Sequence, residues 1–189
     1  MGHAVRYSYN KYGQLTSTKY PDGTMDVTVY DELDRVSATG FKYDESSPLQ
    51  YMTSVDYAFE DHTYTIITPD GSREASYKGL RTNTHTYISG SKHVNSSVLA
   101  DIRGNIVEEK INDNVKLTSV YYENGQLAKR TDANGNDTLY EYGKFGLLTK
   151  TTVPLSNNTS SMAVNSYDDC GRLVMSKKLS QAENETTPK

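Results

Sequence analysis

The chain has 189 residues and a formal net charge of -4, from 20 Lys and Arg against 24 Asp and Glu. The charge excludes the basic excess of a nucleic-acid binder, no apolar run approaches the roughly 20 residues of a membrane-spanning helix, and the single Cys170 excludes a disulfide framework. Leu, Ile, Val and Phe make up less than a fifth of the residues, a low fraction that is typical of disordered chains. The 16 tyrosines argue against disorder, because a disordered tail would not carry so many.

Turn signals divide the N-terminal part of the chain. Residues 9–15 begin with Tyr9, carry Gly13 and end with an aliphatic residue, and residues 30–36 have the same shape, from Tyr30 onward, with Asp34 in place of the glycine. A Pro-Asp-Gly-Thr sequence lies between the two copies. Gly supplies the positive φ of tight hairpin turns, and Asp tolerates it. The intervening residues alternate and are rich in Val, Thr and Tyr, which predicts strands.

The middle of the chain carries the pattern weakly. Residues 41–97 are degenerate, although 64–68 are strand-like and 69–72 (Pro-Asp-Gly-Ser) predict another copy of the midway turn. Residues 77–80 are a weak copy of the tyrosine motif, and residues 100–106, with Gly104, are a better one. We therefore expect strands and turns here without a regular spacing.

The C-terminal part repeats the motif three times. The copies begin at Tyr122, Tyr142 and Tyr167, and their turn glycines are Gly125, Gly146 and Gly171. Gly104, Gly125 and Gly146 are spaced by 21 residues, and an Asn-Gly pair lies midway in one unit. The next interval is 25 residues, because a polar insertion at 154–161 predicts a long hairpin loop. Each unit is thus predicted to hold two turns and two strands, giving an all-β fold of antiparallel hairpins stacked into a curved, spiralling sheet.

These repeated residues carry a family resemblance. A Tyr-Asp-x-x-Gly-[Arg/Gln]-[Leu/Val] unit about every 21 residues, interleaved with Pro-Asp-Gly-Thr, resembles the YD-repeat, or RHS-repeat, family. The predicted repeat array spans residues 5–180, and residues 181–189 are predicted to be a disordered polar tail.

The resemblance implies a location and a role. In that family a β-hairpin ribbon coils into a large shell that encloses a cargo polypeptide or an interior space. Such shells occur in secreted bacterial toxin-delivery proteins and in related, teneurin-like animal cell-surface adhesion proteins. It implies a structural module of a secreted or cell-surface protein. The first and last hairpins should present unpaired strand edges. The expected partners are therefore the remaining repeats of a longer polypeptide or a second copy, together with a polypeptide cargo or glycans.

The tyrosines fall into two groups under this interpretation. Repeat positions are better explained by packing between hairpins than by ligand contact, and they are predicted as structural together with the turn glycines. Tyrosines outside the repeat register are candidates for contact with a carbohydrate, which is the alternative function: a carbohydrate-binding or adhesive surface. These candidates are Tyr12, Tyr20, Tyr51 and Tyr121.

Catalytic and metal-binding motifs do not emerge from the sequence. It contains no nucleophile elbow, phosphate-binding glycine loop or nucleotide fingerprint, so we expect no enzyme and no cofactor, with a glycan-active enzyme as a distant third hypothesis. His85 and His93 could face each other across a hairpin and hold a metal with a carboxylate. A dedicated site normally shows three or four ligands, so a simple turn is the favoured interpretation.

Overall fold

A computed structural model describes residues 4–89, 92–155 and 159–182. His3, the centre of the polar insertion at 154–161, and residues 183–189 of the predicted tail lie outside the described residues. Residues 181 and 182, the first two of that tail, belong to the last strand.

The described residues form an all-β fold, as predicted. The strands are β1 Arg6–Tyr9, β2 Leu15–Lys19, β3 Met25–Tyr30, β4 Val36–Lys42, β5 Gln50–Thr68, β6 Gly71–Ser89, β7 Lys92–Ala100, β8 Ile106–Ile111, β9 Asn114–Tyr122, β10 Leu127–Asp132, β11 Asp137–Tyr142, β12 Leu148–Leu155, β13 Thr159–Tyr167 and β14 Leu173–Ala182. They hydrogen-bond in chain order as one 14-stranded sheet. A single 3-10 turn at Lys144–Gly146 is the one helical element among these residues, and no described helix could cross a bilayer.

The chain forms two compact units. Unit 1 comprises Met1–Glu60, Leu80–Leu99 and Lys110–Asn114, and unit 2 comprises Asp61–Gly79, Ala100–Glu109 and Val115–Lys189. The fully buried side chain of unit 1 is Leu99, and Ala38 is also buried there. Unit 2 buries Tyr64, Val107 and Ala128.

Both units have small apolar cores, as the composition predicts. A two-stranded hairpin cannot bury its apolar face alone, but hairpins laid side by side satisfy each other's backbone N–H and C=O groups. The antiparallel ladders of unit 2, from β9 to β14, continue in this way without interruption. Because the apolar cores are small, backbone hydrogen bonds between neighbouring strands and polar side-chain contacts do much to hold the sheet together.

Most of residues 41–97, where the repeat pattern is weak in the sequence, form one long hairpin. Strands β5 and β6 have 19 residues each, and the turn between them lies at Pro69 and Asp70. The predicted motif copy at 77–80 lies inside β6, so the prediction of a turn there is wrong. In unit 2, β5 also pairs in parallel with β9 through Ile66–Tyr121 and Ile67–Tyr122.

Candidate functional site

One five-residue turn recurs along the chain. Its first N–H donates to the fifth carbonyl at 2.8–3.0 Å, and its fourth N–H donates to the first carbonyl at 2.8–3.1 Å. In the described part of the chain eight copies occur, beginning at Asn10, Tyr20, Asp31, Asp101, Tyr122, Asp132, Gly143 and Asp168. The fourth residue always has a positive φ, including Asp34 at 61°. The midway turns at residues 21–23 and 134–135 are thus the same turn as that of the tyrosine motif, whereas the predicted copy at 69–72 forms a different, two-residue turn between β5 and β6. We call the recurring five-residue turn the repeat turn.

An aspartate at the first position closes the repeat turn with its side chain. Asp31 Oδ1 accepts the N–H groups of Leu33 and Arg35, each at 2.9 Å, and Asp168 Oδ1 accepts those of Cys170 and Arg172. These bonds favour the ionised form. The hydrogen bond from the Arg35 backbone lowers the pKa of Asp31, and that from the Arg172 backbone lowers the pKa of Asp168.

The fifth residue of the repeat turn has two roles. Where the first residue is Asp, the fifth side chain bonds to it: Arg172 Nε donates to Asp168 Oδ2 at 2.7 Å. In two turns whose first residue is uncharged, a glutamine at the fifth position reaches the next tyrosine-motif turn. Gln14 Nε2 donates to the carbonyl of Asp34 at 2.9 Å, and Gln126 Nε2 donates to that of Gly146 at 2.7 Å. The glutamines therefore link turns that lie about one repeat apart.

The tyrosine and the aliphatic residue of the motif face each other across the hairpin. Each pair lies opposite in the antiparallel register; the pairs are Tyr9–Leu15, Tyr30–Val36, Tyr121–Leu127, Tyr142–Leu148 and Tyr167–Leu173. Several of these hydroxyls also bond to the preceding strand. Tyr30 donates to the carbonyl of Leu15 at 3.0 Å, and Tyr167 donates to that of Leu148 at 2.9 Å. The ring thus closes one hairpin while its hydroxyl ties it to the previous one.

The structure corrects the register of one predicted repeat residue. Tyr121, rather than Tyr122, lies opposite Leu127, and its hydroxyl donates to the carbonyl of Ile106 at 2.7 Å. Tyr122 is the first residue of the repeat turn, where five of the other seven described copies have Asp or Asn. The Tyr122 ring instead contacts the Tyr142 ring edge-on at 6.0 Å. Tyr121 therefore occupies the motif position that the sequence predicted for Tyr122, and Tyr122 is the first residue of the turn.

The other candidate ligand-binding tyrosines lie in unit 1. Tyr12 is 61% exposed and carries Lys11 Nζ 4.7 Å from its ring centroid, and Tyr51 is 53% exposed. The hydroxyl of Tyr20 donates to Asp26 Oδ2 at 2.7 Å, and this bond raises the pKa of Tyr20. Tyr12 and Tyr51 are therefore open to solvent, whereas the Tyr20 hydroxyl is already engaged.

The two histidines do face each other across a hairpin in unit 1. Their ring centroids are 6.0 Å apart, His85 Nδ1 lies 2.6 Å from Asn95 Oδ1, and His85 Nε2 lies 3.4 Å from Asp56 Oδ2. Among the described residues, no three His, Cys, Asp or Glu side chains are grouped as metal ligands would be. Asn95 and Asp56 orient the His85 ring.

Cavities of different sizes lie among the described residues of unit 2. An open one of about 450 Å³ is lined by residues 67–69 and 122–124, and a second of about 420 Å³ lies beside Tyr122, Glu141 and Tyr142. The third, of about 150 Å³, is lined by four aromatic side chains and two carboxylates, including Tyr121. No candidate tyrosine of unit 1 lines any of these three cavities.

Comparisons with known proteins bear on the repeated turns. A family model described as RHS Repeat matches residues 121–157. This segment is similar to the RHS-repeat family. Its described residues include the repeat turns that begin at Tyr122, Asp132 and Gly143, so the family motif corresponds here to a hairpin turn closed by a tyrosine and an aliphatic residue.

Solved structures show a more distant likeness to the chain. "Crystal Structure of TcdB2-TccC3-Cdc42" matches with 14% identity and a TM-score of 0.47, and "Crystal Structure of TcdB2-TccC3-TEV" matches with 12% identity and a TM-score of 0.42. Each match covers 92% of this chain but only 10% and 11% of the respective solved chains. No curated protein matches the chain. The chain therefore spans about a tenth of the solved chains that it resembles.

Sequence reasoning missed the residues that act between strands. Gln14 and Gln126 could have been noticed, because Gln replaces Arg in the motif in two turns whose first residues, Asn10 and Tyr122, are uncharged. The cavity lined by Tyr64, Tyr77 and Asp101 has no comparable signal. Its residues come from separate parts of the chain: Tyr64 and Tyr77 meet across the β5–β6 hairpin, and the pairing of β5 with β9 adds Tyr121.

Proposed function

We propose that the chain is a non-enzymatic structural module, part of an RHS-repeat shell or scaffold of a secreted or surface-exposed bacterial protein. The shell encloses or presents a toxin or effector polypeptide. The partners of this segment are the remaining repeats of a longer polypeptide or a second copy joined through strand edges. The match to the RHS-repeat family at residues 121–157 supports the structural part of this proposal.

The observation that carries the proposal is the hydroxyl bond from one hairpin to the previous one. Tyr30, Tyr121 and Tyr167 each donate to the carbonyl of the residue that follows the preceding tyrosine-motif turn. The bond uses only motif positions, so each added repeat can make it again. Tyrosines whose hydroxyls make these bonds join one hairpin to the next and so extend the sheet. The faces of the sheet stay available for other contacts.

The outer strands of the described sheet suit extension. Strands β1 and β14 each pair with one neighbour, and an unpaired edge is a template for further pairing. Val174 on β14 is 63% exposed, and Leu179 on the same strand is 46% exposed. Neither edge carries a proline in its described strand, so backbone pairing with another strand is open to both.

Sedimentation velocity of the purified chain over a concentration series tests edge pairing. We expect concentration-dependent association that Val174→Lys with Leu179→Lys weakens, because charge on an edge strand opposes pairing. Ile88→Lys is the matched control: Ile88 is 67% exposed but lies on β6, which is paired on both sides. A monodisperse monomer at every concentration contradicts edge pairing, and equal loss in Ile88→Lys contradicts the edge as its location.

Limited proteolysis of the longest polypeptide that contains these repeats tests enclosure. We expect segments outside the repeats to resist cleavage until the repeats unfold in denaturant. Cleavage of those segments at the same rate before and after that transition contradicts an enclosing role.

A carbohydrate-binding or adhesive surface is the second candidate, favoured by the exposure of Tyr12 and Tyr51. Exposed aromatic rings can stack on the apolar faces of sugars. A glycan array probes this directly, with Tyr12→Ala and Tyr51→Ala as variants and Leu33→Ala, at a residue 69% exposed, as control. Specific binding that only the tyrosine variants lose, with folding retained, favours adhesion over the structural role alone.

A further inference from the structure

A small cavity opens in unit 2 where two strands diverge. Strands β5 and β9 pair over only two residue pairs, ending at Ile67–Tyr122. The residues before this pairing, 62–65 and 118–120, line a cavity of about 150 Å³ together with Tyr77, Asp101 and residues 107–108. One water needs only about 10–15 Å³ of such volume. The cavity therefore has room for a small ligand group.

Aromatic rings form much of its lining. Tyr64 is 4% exposed, and its ring stacks on that of Tyr77 with centroids 4.2 Å apart and planes 12° apart. The His62 ring meets the Tyr64 ring edge-on at 4.7 Å, and Tyr121 completes the aromatic set. The faces of such rings carry partial negative charge and attract cations within about 6 Å of the centroid.

Two carboxylates add negative charge to the same lining. They belong to Asp101 and Glu108. The hydrogen-bond partners of Asp101 in its turn are uncharged groups: Oδ1 accepts the backbone N–H groups of Arg103 and Asn105, each at 2.8 Å, and Oδ2 accepts the side-chain amide of Asn105. These donors are neutral, so the carboxylate keeps its net charge beside the rings.

The direction of the pKa shift of Tyr77 agrees with a carboxylate beside its ring. Burial raises the pKa of Tyr77, and the charge of Asp101 raises it further, against smaller opposing effects of Arg103 and Arg73. Both arginine side chains contact Glu123. Arg73 Nη2 lies 3.2 Å from its carboxylate, and Arg103 Nη1 donates to its backbone carbonyl at 2.6 Å.

We infer that this cavity binds a quaternary ammonium group, such as that of choline. Aromatic faces recognise such cations without hydrogen bonds, and nearby carboxylates add attraction at longer range. The methyl groups fill an apolar space, while the charge lies among the tyrosine rings, His62 and the carboxylates. Binding at this cavity is independent of the proposed shell role, because it needs only unit 2.

Proton NMR titration of the full chain tests the inference with choline as the probe. We expect the choline methyl resonance to move upfield with saturation, because ring currents shield protons over aromatic faces. The matched control is 3,3-dimethylbutan-1-ol, which has the same shape without the charge. Equal binding of the neutral analogue, or no saturable shift with choline, overturns the inference.

Two pairs of variants locate the site. Tyr77→Phe keeps the ring and should keep choline binding, whereas Tyr77→Leu should weaken it at least about fivefold. Asp101→Asn removes charge but keeps the side-chain acceptor, since Asn10 caps the equivalent first turn through Oδ1, and it should weaken binding severalfold. Asp132→Asn makes the same change in a turn that does not line the cavity and should leave binding unchanged.

These variants remain informative if one of them fails to fold. Circular dichroism first confirms that each variant keeps its strand content. If Tyr77→Leu unfolds, the Asp101→Asn and Asp132→Asn pair decides the question alone. Equal binding by those two variants assigns choline to another site and overturns the inference.

Discussion

The short hairpins and the long hairpin of β5 and β6 reverse the chain by different means. In the short hairpins, each repeat turn is fixed by backbone bonds between its first, fourth and fifth residues, and often by an aspartate side chain. In the long hairpin, the turn is a two-residue one at Pro69 and Asp70, after which two strands run for 19 residues each.

The difference shows where each region gets its stability. A short hairpin is specified within about seven consecutive residues, because Asp, Gly and the closing Tyr–aliphatic pair are neighbours in sequence. The long hairpin depends on contacts between distant residues. In unit 1 the guanidinium of Arg81, whose side chain is 9% exposed, pairs with Glu60, and in unit 2 Tyr64 stacks on Tyr77. Mutations should therefore act locally in the first region and over longer stretches in the second.

The largest expected effect is in the long hairpin. Glu60→Gln removes the carboxylate that pairs with the buried guanidinium of Arg81, and should lower the free energy of unfolding by about 2–3 kcal/mol in urea denaturation. The loss is below that of a fully buried pair because the Glu60 side chain is 40% exposed. Glu123→Gln is the matched control: it breaks an exposed pair with Arg73 and should cost less than about 1 kcal/mol. Equal losses in the two variants would contradict the special role of the buried pair.

The repeat turns should respond to changes in backbone freedom. Gly13 has a φ of 80°, and a Cβ there would meet no atom within 4 Å, so Gly13→Ala tests backbone strain alone. We expect a loss of about 1 kcal/mol in unfolding free energy, after the smaller gain from a less flexible unfolded chain is subtracted. The reverse change, Asp34→Gly at the equivalent position, should stabilise the protein. A neutral result for both would show that the turn does not need its positive φ.

The sequence predicts the short hairpins because their determinants are local. Gly125 and Gly146 do occupy equivalent turns, with φ of 87° and 70°. The strand at 64–68 and the turn at Pro69 and Asp70 were predicted, but the length of the hairpin was not, because residues 41–97 lack the regularly spaced turn signals that mark the other strands. No signal in the sequence predicts that strands continue for 19 residues where the repeat turn is absent.

The candidate sites are less predictable than the hairpins. Tyr121 and Tyr122 are adjacent and chemically identical, and only the pairing of Tyr121 with Leu127 assigns their roles. The aromatic cavity joins Tyr64 to Tyr121, which are far apart in sequence. Such a site depends on the register of β5 against β9, and two residue pairs of parallel ladder leave no periodic pattern in the sequence.

An effect of similar size is expected where a hydroxyl joins two hairpins. Tyr167→Phe removes the donor to the Leu148 carbonyl but keeps the ring, and should cost about 1 kcal/mol of unfolding free energy. Tyr9→Phe is the control at the same motif position. Tyr9 lies on the first strand of the order and is 59% exposed, so its loss should be close to zero. A similar cost in both variants would mean that the hydroxyls do not hold successive hairpins together.

The smallest effect should appear in acid and should separate the aspartate-capped turns from the long hairpin. The pKa values of Asp31, Asp132 and Asp168 lie below the ordinary value of 3.8, chiefly because Arg35, Asn136 and Arg172 donate hydrogen bonds to them. A lowered folded-state pKa stabilises the fold above the unfolded value, and this stabilisation is lost as the pH falls through the folded value.

Amide hydrogen exchange and NMR titration check this pH dependence. Below pH 3.8 the amide of Arg172, which donates to Asp168 Oδ1, should lose protection as that carboxylate is protonated. Asp168→Asn should abolish the acid step at this turn, since an amide oxygen accepts the same bonds without titrating, as Asn10 does. The uncapped turn that begins at Gly143 should show no such step. A common acid transition of all turns and of β5 and β6 would instead indicate global unfolding, and would contradict local closure by aspartate.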